Sequence, residues 1–158
     1  MQPRLRLALY QPDIPQNAGT LIRTAACLGL AVDVIEPCGF LFDDRRLRRA
    51  GMDYMSGVEV VRHASFDRFL AARAGVPGGP GRLLLLTTQS DLSYLDVRFH
   101  ADDTLLVGRE SAGAPPEVHA AADARLVVPM VPGMRSLNVA VSAAMVLGEA
   151  LRQLRDRT

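Results

Sequence analysis

Leu126-Val-Val-Pro-Met-Val-Pro-Gly-Met-Arg-Ser-Leu-Asn-Val-Ala-Val-Ser-Ala-Ala-Met-Val-Leu-Gly-Glu-Ala-Leu-Arg152 decides how the rest of the chain is read. It begins as an apolar run of strand length (Leu126 to Val128), which two prolines and a glycine then break into an irregular loop. Ser136 or Asn138 can cap the helix that follows, because a short polar side chain accepts the unpaired amide hydrogens of a first helical turn. From Leu137 to Leu147 this helix is apolar on almost every face, which is more than one core can cover. Its alanines let a second surface come close. The loop between strand and helix carries Gly133, Arg135, Ser136 and Asn138, and is a candidate ligand seat.

Upstream, strands and helices alternate. Leu5 to Tyr10 reads as a strand, and Pro12 and Pro15 stop it. Asn17 can cap a helix over about residues 18–28, which Gly29 closes. Ala31 to Ile35 is a second strand, ended by Glu36-Pro37-Cys38-Gly39. A short helix is expected near residues 42–51, with Asp43 and Asp44 at its start and arginines behind, as the helix dipole prefers. Val58 to Val61 is a third strand, and Ser65 to Ala74 a helix with Phe66, Phe69 and Leu70 inward. Leu83 to Thr87 is apolar enough for a central parallel strand, and Thr104 to Val107 is a fifth. This alternation predicts an α/β fold with one parallel sheet and helices on both faces. Ligands gather at the carboxyl ends of such strands. Three of those ends run into polar, Gly/Pro-rich loops, at residues 11–19, 108–116 and 129–138.

Bulk composition narrows the class. At 158 residues with 49% hydrophobic content the chain is one globular domain, residues 1–158, with a real core. A net charge of +1 is no global signature of nucleic-acid binding, so any RNA contact has to come from a local patch. All 18 basic residues are arginine, which a GC-rich genome explains most simply. Cys27 and Cys38, without CxxC spacing or an export signal, read as reduced thiols in the cytoplasm. No apolar run reaches the roughly 18 residues of a membrane span.

Several chemistries drop out. No G-x-G-x-x-G follows a strand, there is no P-loop, and no G-x-S-x-G elbow exists. His63, His100 and His119 lie far apart without ligand spacing and read as surface or turn histidines rather than metal ligands. Arg45, Arg46, Arg48 and Arg49 form the one dense basic cluster; it is either a solvated helix face or a set of phosphate contacts, which arginine's fork geometry suits.

Three segments together carry a resemblance. Ile14-Pro-Gln-Asn-Ala-Gly-Thr-Leu-Ile-Arg23-Thr, Leu106-Val-Gly-Arg-Glu-Ser-Ala-Gly-Ala-Pro115 and Val128-Pro-Met-Val-Pro-Gly-Met-Arg-Ser-Leu-Asn138-Val resemble the three motifs of the SPOUT RNA ribose 2′-O-methyltransferases. Glu36-Pro-Cys-Gly-Phe40 and the Asp43–Tyr54 segment narrow the likeness to the TrmL (YibK-like) family, which methylates the wobble nucleotide of certain tRNAs. It covers essentially the whole chain.

The resemblance implies an α/β fold with a C-terminal trefoil knot, a homodimer, S-adenosylmethionine as methyl donor, and no metal. By matching position it implies that Leu86, Gly108, Val128 and Ser136 hold the donor, with Met130 and Leu137 as neighbours. Asn17, Arg23, Glu110, Arg135 and Asn138 match polar positions of the family's active site, Arg135 on the RNA side with the Arg45–Arg49 cluster. Arg23 matches the arginine that takes the proton from the ribose 2′-hydroxyl. A guanidinium with a pKa above about 12 rarely gives up its own proton, so the alternative is that Arg23 positions RNA phosphate and stabilises the developing alkoxide. Arg109, Ala112 and Ala114 depart from the Pro, basic residue and Leu common in relatives, and Ala140 stands where Ser is frequent. The rival readings are the same chemistry on ribosomal RNA, a non-catalytic RNA-binding module, and a flavodoxin-like nucleotide binder.

Overall fold

The computed structural model describes residues 5–40 and 58–155, and the fold below is that of these residues. In chain order they form β1 (Arg6–Tyr10), α1 (Pro15–Leu28), β2 (Ala31–Ile35), β3 (Val60–His63), α2 (Phe66–Ala74), β4 (Leu83–Leu86), β5 (Thr104–Val107), α3 (Pro116–Ala121), β6 (Ala124–Leu126) and α4 (Val139–Arg155). A single 3-10 turn, Tyr94–Asp96, lies between β4 and β5. The strands make one sheet in the order β3-β2-β1-β5-β4-β6, and every pairing is parallel.

Alternation along the strands explains the two layers. Leu7 and Leu9 point to one face of β1 and Ala8 and Tyr10 to the other, and all four are buried. The first face packs against α1 and α4, in a core that joins Leu21, Ile22, Ala143, Val146 and Leu147 to strand residues. The second face meets Phe69 of α2 and Val118 of α3. A sheet covered on both sides accounts for strands that are apolar throughout. The expected α/β architecture with helices on both faces is present.

Helix ends follow local chemistry. Gly29 closes α1 in the left-handed region (φ 72), with its amide donating to Ala26 and that of Leu30 to Ala25, the paired pattern that satisfies terminal carbonyls. Ser65 caps α2 by accepting from the Arg68 amide at 3.1 Å. Two expectations need correction. α1 starts at Pro15, with Ile14 at the cap position and no side-chain cap; proline suits a first turn because it has no amide hydrogen to satisfy, so Asn17 lies inside the helix. The last strand is Ala124–Leu126 where Leu126 to Val128 was expected; Val127 pairs only through an isolated bridge to Ser93. The expected helix near residues 42–51, with Asp43 and Asp44, lies outside the described residues.

The first three strands step outward from β1 in one direction, and the chain then crosses to β4 beyond β5. The order therefore reverses between β1 and β5, where open α/β sheets form a crevice outside their carboxyl ends. Elsewhere on the sheet, buried polar groups satisfy one another. Asp33 accepts two bonds from Arg6, at 2.8 and 3.1 Å, and lies 2.9 Å from His63 Nε2. Ligand atoms of His100, Asp102 and Asp103 lie within 4.8 Å of one another. The Asp103 oxygens are taken, however, by Arg82 at 2.9 and 2.7 Å and by the His100 amide at 2.7 Å. That cluster is an ion pair closing the base of the sheet.

Candidate functional site

A cavity of about 460 Å³ opens at the carboxyl ends of the strands, within the size range of small-molecule sites. The first turn of α1 and the loops after β4, β5 and β6 contribute to its wall. Leu86, Gly108, Val128, Met130, Ser136 and Leu137, the expected donor residues, all line it. So do Asn17, Glu110 and Asn138, which the chain separates by more than half its length. Arg23 and Arg135 do not line it: both are exposed, Arg23 on α1 and Arg135 in the loop before α4. Arg45, Arg46, Arg48 and Arg49 lie outside the described residues.

The walls are held by specific contacts. At the end of β1, Gln11 adopts φ 42, a region sparsely used by residues other than glycine. Its amide bonds the Ile35 carbonyl at 2.8 Å, and its side-chain oxygen accepts from Arg109. The Arg109 guanidinium also stands 5.4 Å over the Tyr10 ring. These contacts tie the β1 loop to the β5 loop across the switch point. The β5 loop turns back on itself through paired bonds between Arg109 and Gly113, at 3.1 and 2.9 Å. Gly108 sits against that turn so closely that a Cβ would meet Gly113 C at 2.7 Å and Ala114 N at 2.8 Å. The missing side chain leaves backbone open to the cavity.

Asn138 settles which residue caps α4. Its Oδ1 accepts from the Ala140 and Val141 amides at 2.8 and 3.2 Å, while its Nδ2 donates to Asn17 Oδ1 at 3.0 Å. One side chain thus fixes the N-terminus of α4 and joins it to the first turn of α1. Asn17, whose capping role falls away, instead orients Asn138.

Acid chemistry concentrates on the β1 and β5 loops. The Asp13 amide donates to Glu110 Oε2 at 3.1 Å. Burial and a side-chain hydrogen bond to Asp13 push the Glu110 carboxyl up to about 7. The same bond holds Asp13 below the usual carboxylate range. Nearby, burial and the charge of Glu36 push the Cys38 thiol up to about 11, so Cys38 stays protonated and unreactive at neutral pH.

Residue reading by motif missed part of the wall. Thr87, Thr88 and Gln89 line the cavity from the loop after β4, and His119 and Ser142 from α3 and α4. The signal for the first three was present: polar residues after an apolar parallel strand belong at the same edge as the other strand-end loops. His119 and Ser142 enter through helix packing, which spacing does not reveal. Asp13 read only as part of a proline-rich loop.

Comparison with known proteins agrees with this geometry. A model of the SpoU rRNA Methylase family matches residues 4–148. The tRNA (cytidine(34)-2'-O)-methyltransferase of Beijerinckia indica subsp. indica is 60% identical over 148 residues, covering 94% of this chain and 91% of its own. A solved structure concerned with 2-OH methylation of C/U34 on tRNA superposes with a TM-score of 0.89 at 44% identity, covering 96% of this chain and 97% of its own. The SpoU methyltransferase AviRb from Streptomyces viridochromogenes, solved in complex with the cofactor AdoMet, gives a TM-score of 0.84 at 28% identity over 99% of this chain and 62% of its own.

Proposed function

The chain belongs to the SpoU rRNA Methylase family, and from that premise we propose that it methylates the ribose 2′-hydroxyl of the wobble nucleotide of tRNA, cytidine or uridine 34, with S-adenosylmethionine as donor. One observation carries the reading: residues of three separated motifs stand around a single cavity at the sheet's switch point. The tRNA substrate follows from the relatives that match nearly end to end. A relative solved with the donor bound shares the fold.

The residues present fit that donor. Leu86, Val128 and Leu137 give the cavity apolar walls, and Gly108 leaves backbone accessible where a Cβ would collide. Such a cradle reads an adenine by main-chain donors and acceptors and grips an aliphatic chain by burial. Bound S-adenosylmethionine supplies a sulfonium methyl group, an electrophile that needs no metal. The protein's part is alignment and electrostatics. Asn138, fixed by its cap and by Asn17, faces the cavity as a polar anchor for the RNA sugar. Arg23 on the exposed face of α1 holds phosphate and stabilises the alkoxide that forms; Arg135 and the Arg45–Arg49 cluster contribute phosphate contacts.

The enzyme works as a homodimer, with residues 1–158 as one methyltransferase domain. Val141 and Met145 on α4 and Leu28 on α1 are 51%, 41% and 39% exposed, and these two helices pack side by side. A second copy would cover this apolar face, and paired subunits would offer a tRNA more basic surface than one chain of charge +1. The segment from β6 into α4 is read as a trefoil knot, which the strand order and the family's fold support. The setting is cytoplasmic; among the described residues no helix is long and apolar enough to cross a membrane.

The test is transfer of a labelled methyl group to undermodified bulk tRNA, with ribosomal RNA as the parallel substrate. Label on tRNA is expected. Label confined to ribosomal RNA would replace the substrate, and donor binding without transfer to any RNA would reduce the protein to a binding module.

A further inference from the structure

We propose that Arg109 is a positioning residue for the methyl donor: its side chain, anchored on the end of β1, holds the turn of residues 108–113 in the shape that receives S-adenosylmethionine. This rests on the reading of the cavity as the donor's site.

The turn has little of its own to hold it. Its residues between Glu110 and Ala114 are Ser, Ala and Gly, and all three are exposed. Gly113 lies in the left-handed region (φ 65). Two backbone bonds close the turn, from the Arg109 amide to the Gly113 carbonyl at 3.1 Å and from the Gly113 amide back to the Arg109 carbonyl at 2.9 Å. Gly108 leans on that closure, since a Cβ there would meet Gly113 C at 2.7 Å. The backbone that Gly108 opens to the cavity is therefore placed by the same residues that close the turn.

The Arg109 side chain ties this unit to rigid structure. Its guanidinium donates to Gln11 Oε1 and stands 5.4 Å over the Tyr10 ring. Both partners are themselves fixed. Tyr10 is buried and packs edge-on against Phe66 of α2 at 5.8 Å, and the Gln11 amide is bonded to Ile35 of β2 at 2.8 Å. Two other bonds cross the same gap, from the Asp13 amide to Glu110 and from the Ser111 hydroxyl to Asp13. They reach the loop beyond Gln11, whereas Arg109 reaches the strand end. Among the described residues Arg109 forms no ion pair. Its partners are a neutral amide and an aromatic face, which a planar guanidinium satisfies together and a lysine ammonium does not.

The guanidinium lies on the β1 side of β5. The apolar walls Leu86 and Val128 belong to β4 and to the loop after β6, on the other side of β5 in the sheet. Arg109 thus acts on the donor through the turn. A turn released from β1 samples more conformations, and the donor has to select the competent one, which weakens apparent affinity in proportion. Once the donor is bound the turn is the same, so the rate at saturation is preserved.

Calorimetric titration of S-adenosylmethionine into the wild type, Arg109→Ala, Gln11→Met and the double variant tests this, beside donor KM, kcat and thermal melts. Arg109→Ala should weaken donor binding and raise donor KM by about tenfold, with kcat at saturating donor within about threefold of the wild type. Gln11→Met, which removes only the acceptor and leaves the fold intact, should weaken donor binding by about threefold or more. The double variant should bind the donor no more weakly than Arg109→Ala alone, the non-additivity of groups acting through one contact. A lower melting temperature with unchanged donor affinity and KM in Arg109→Ala would overturn the proposal, since a merely structural role predicts it. So would a Gln11→Met variant of wild-type affinity beside a weakened Arg109→Ala, the mark of direct contact between Arg109 and the donor. Failure of the cavity reading would look different: the wild type itself would bind no S-adenosylmethionine, and the proposal would fall with it.

Discussion

Two residues bear most of the chemical argument, and they do so from different places. Arg23 is exposed on α1 and does not line the cavity, so the role proposed for it is toward RNA and not toward the donor. Arg23→Ala should therefore abolish transfer while leaving donor affinity nearly unchanged, as read by calorimetry and single-turnover kinetics; full activity in that variant removes Arg23 from the mechanism. Glu110 is linked to folding through its raised pKa. The unfolded chain releases its proton near 4.5 and the folded chain near 7. Between those values the folded state keeps a proton that the unfolded state has lost. The associated stability is fully present below 4.5 and is lost as pH rises through 7. The lowered Asp13 works oppositely, but only as pH falls below its ordinary 3.8. Denaturant unfolding from pH 4.5 to 7.5 should show the decline, and Glu110→Gln should flatten it.

At the level of elements, the site depends on how helices and loops end. Asn138 caps α4 and holds Asn17. Asn138→Ala should cost about 1 kcal/mol of stability, the usual worth of such a cap, together with a larger fractional loss of activity than of stability. A thermal melt beside an activity assay separates the two. Gly108→Ala puts a Cβ 2.7 Å from the Gly113 backbone, which cannot yield as a flexible side chain can. Donor affinity should fall by about tenfold or more, equivalent to about 1.4 kcal/mol. Most elements were legible in the sequence because apolar runs bounded by Gly, Pro and Asn follow directly from local chemistry; Thr104–Val107 and the left-handed Gly29 are examples. Where the reading slipped, tertiary contacts had overridden local preference. Asn17 could cap a helix, but Pro15 starts one earlier, and Asn17 found a partner on α4 instead. Glu110 could be named from its motif. Its partnership with Asp13 could not, because it arises only when the β1 and β5 loops meet over the switch point.

For the molecule as a whole, partner surfaces govern assembly and RNA binding. The exposed apolar residues Val141 and Met145, one turn apart on α4, predict that Met145→Glu shifts the protein toward monomer in sedimentation velocity, whereas an unchanged sedimentation coefficient would locate any dimer contact elsewhere. Charge reversal across Arg45, Arg46, Arg48 and Arg49 should weaken tRNA binding and flatten its salt dependence; intact affinity would return that cluster to an ordinary solvated face. The central claim is narrower than either. It is tested most directly by incubating the protein with S-adenosylmethionine and tRNA from cells lacking this methylation, then mapping the product by mass spectrometry. A single methyl group on the ribose of nucleotide 34 is the predicted result. A methyl group on a base, or on a ribose elsewhere in the tRNA, would contradict it.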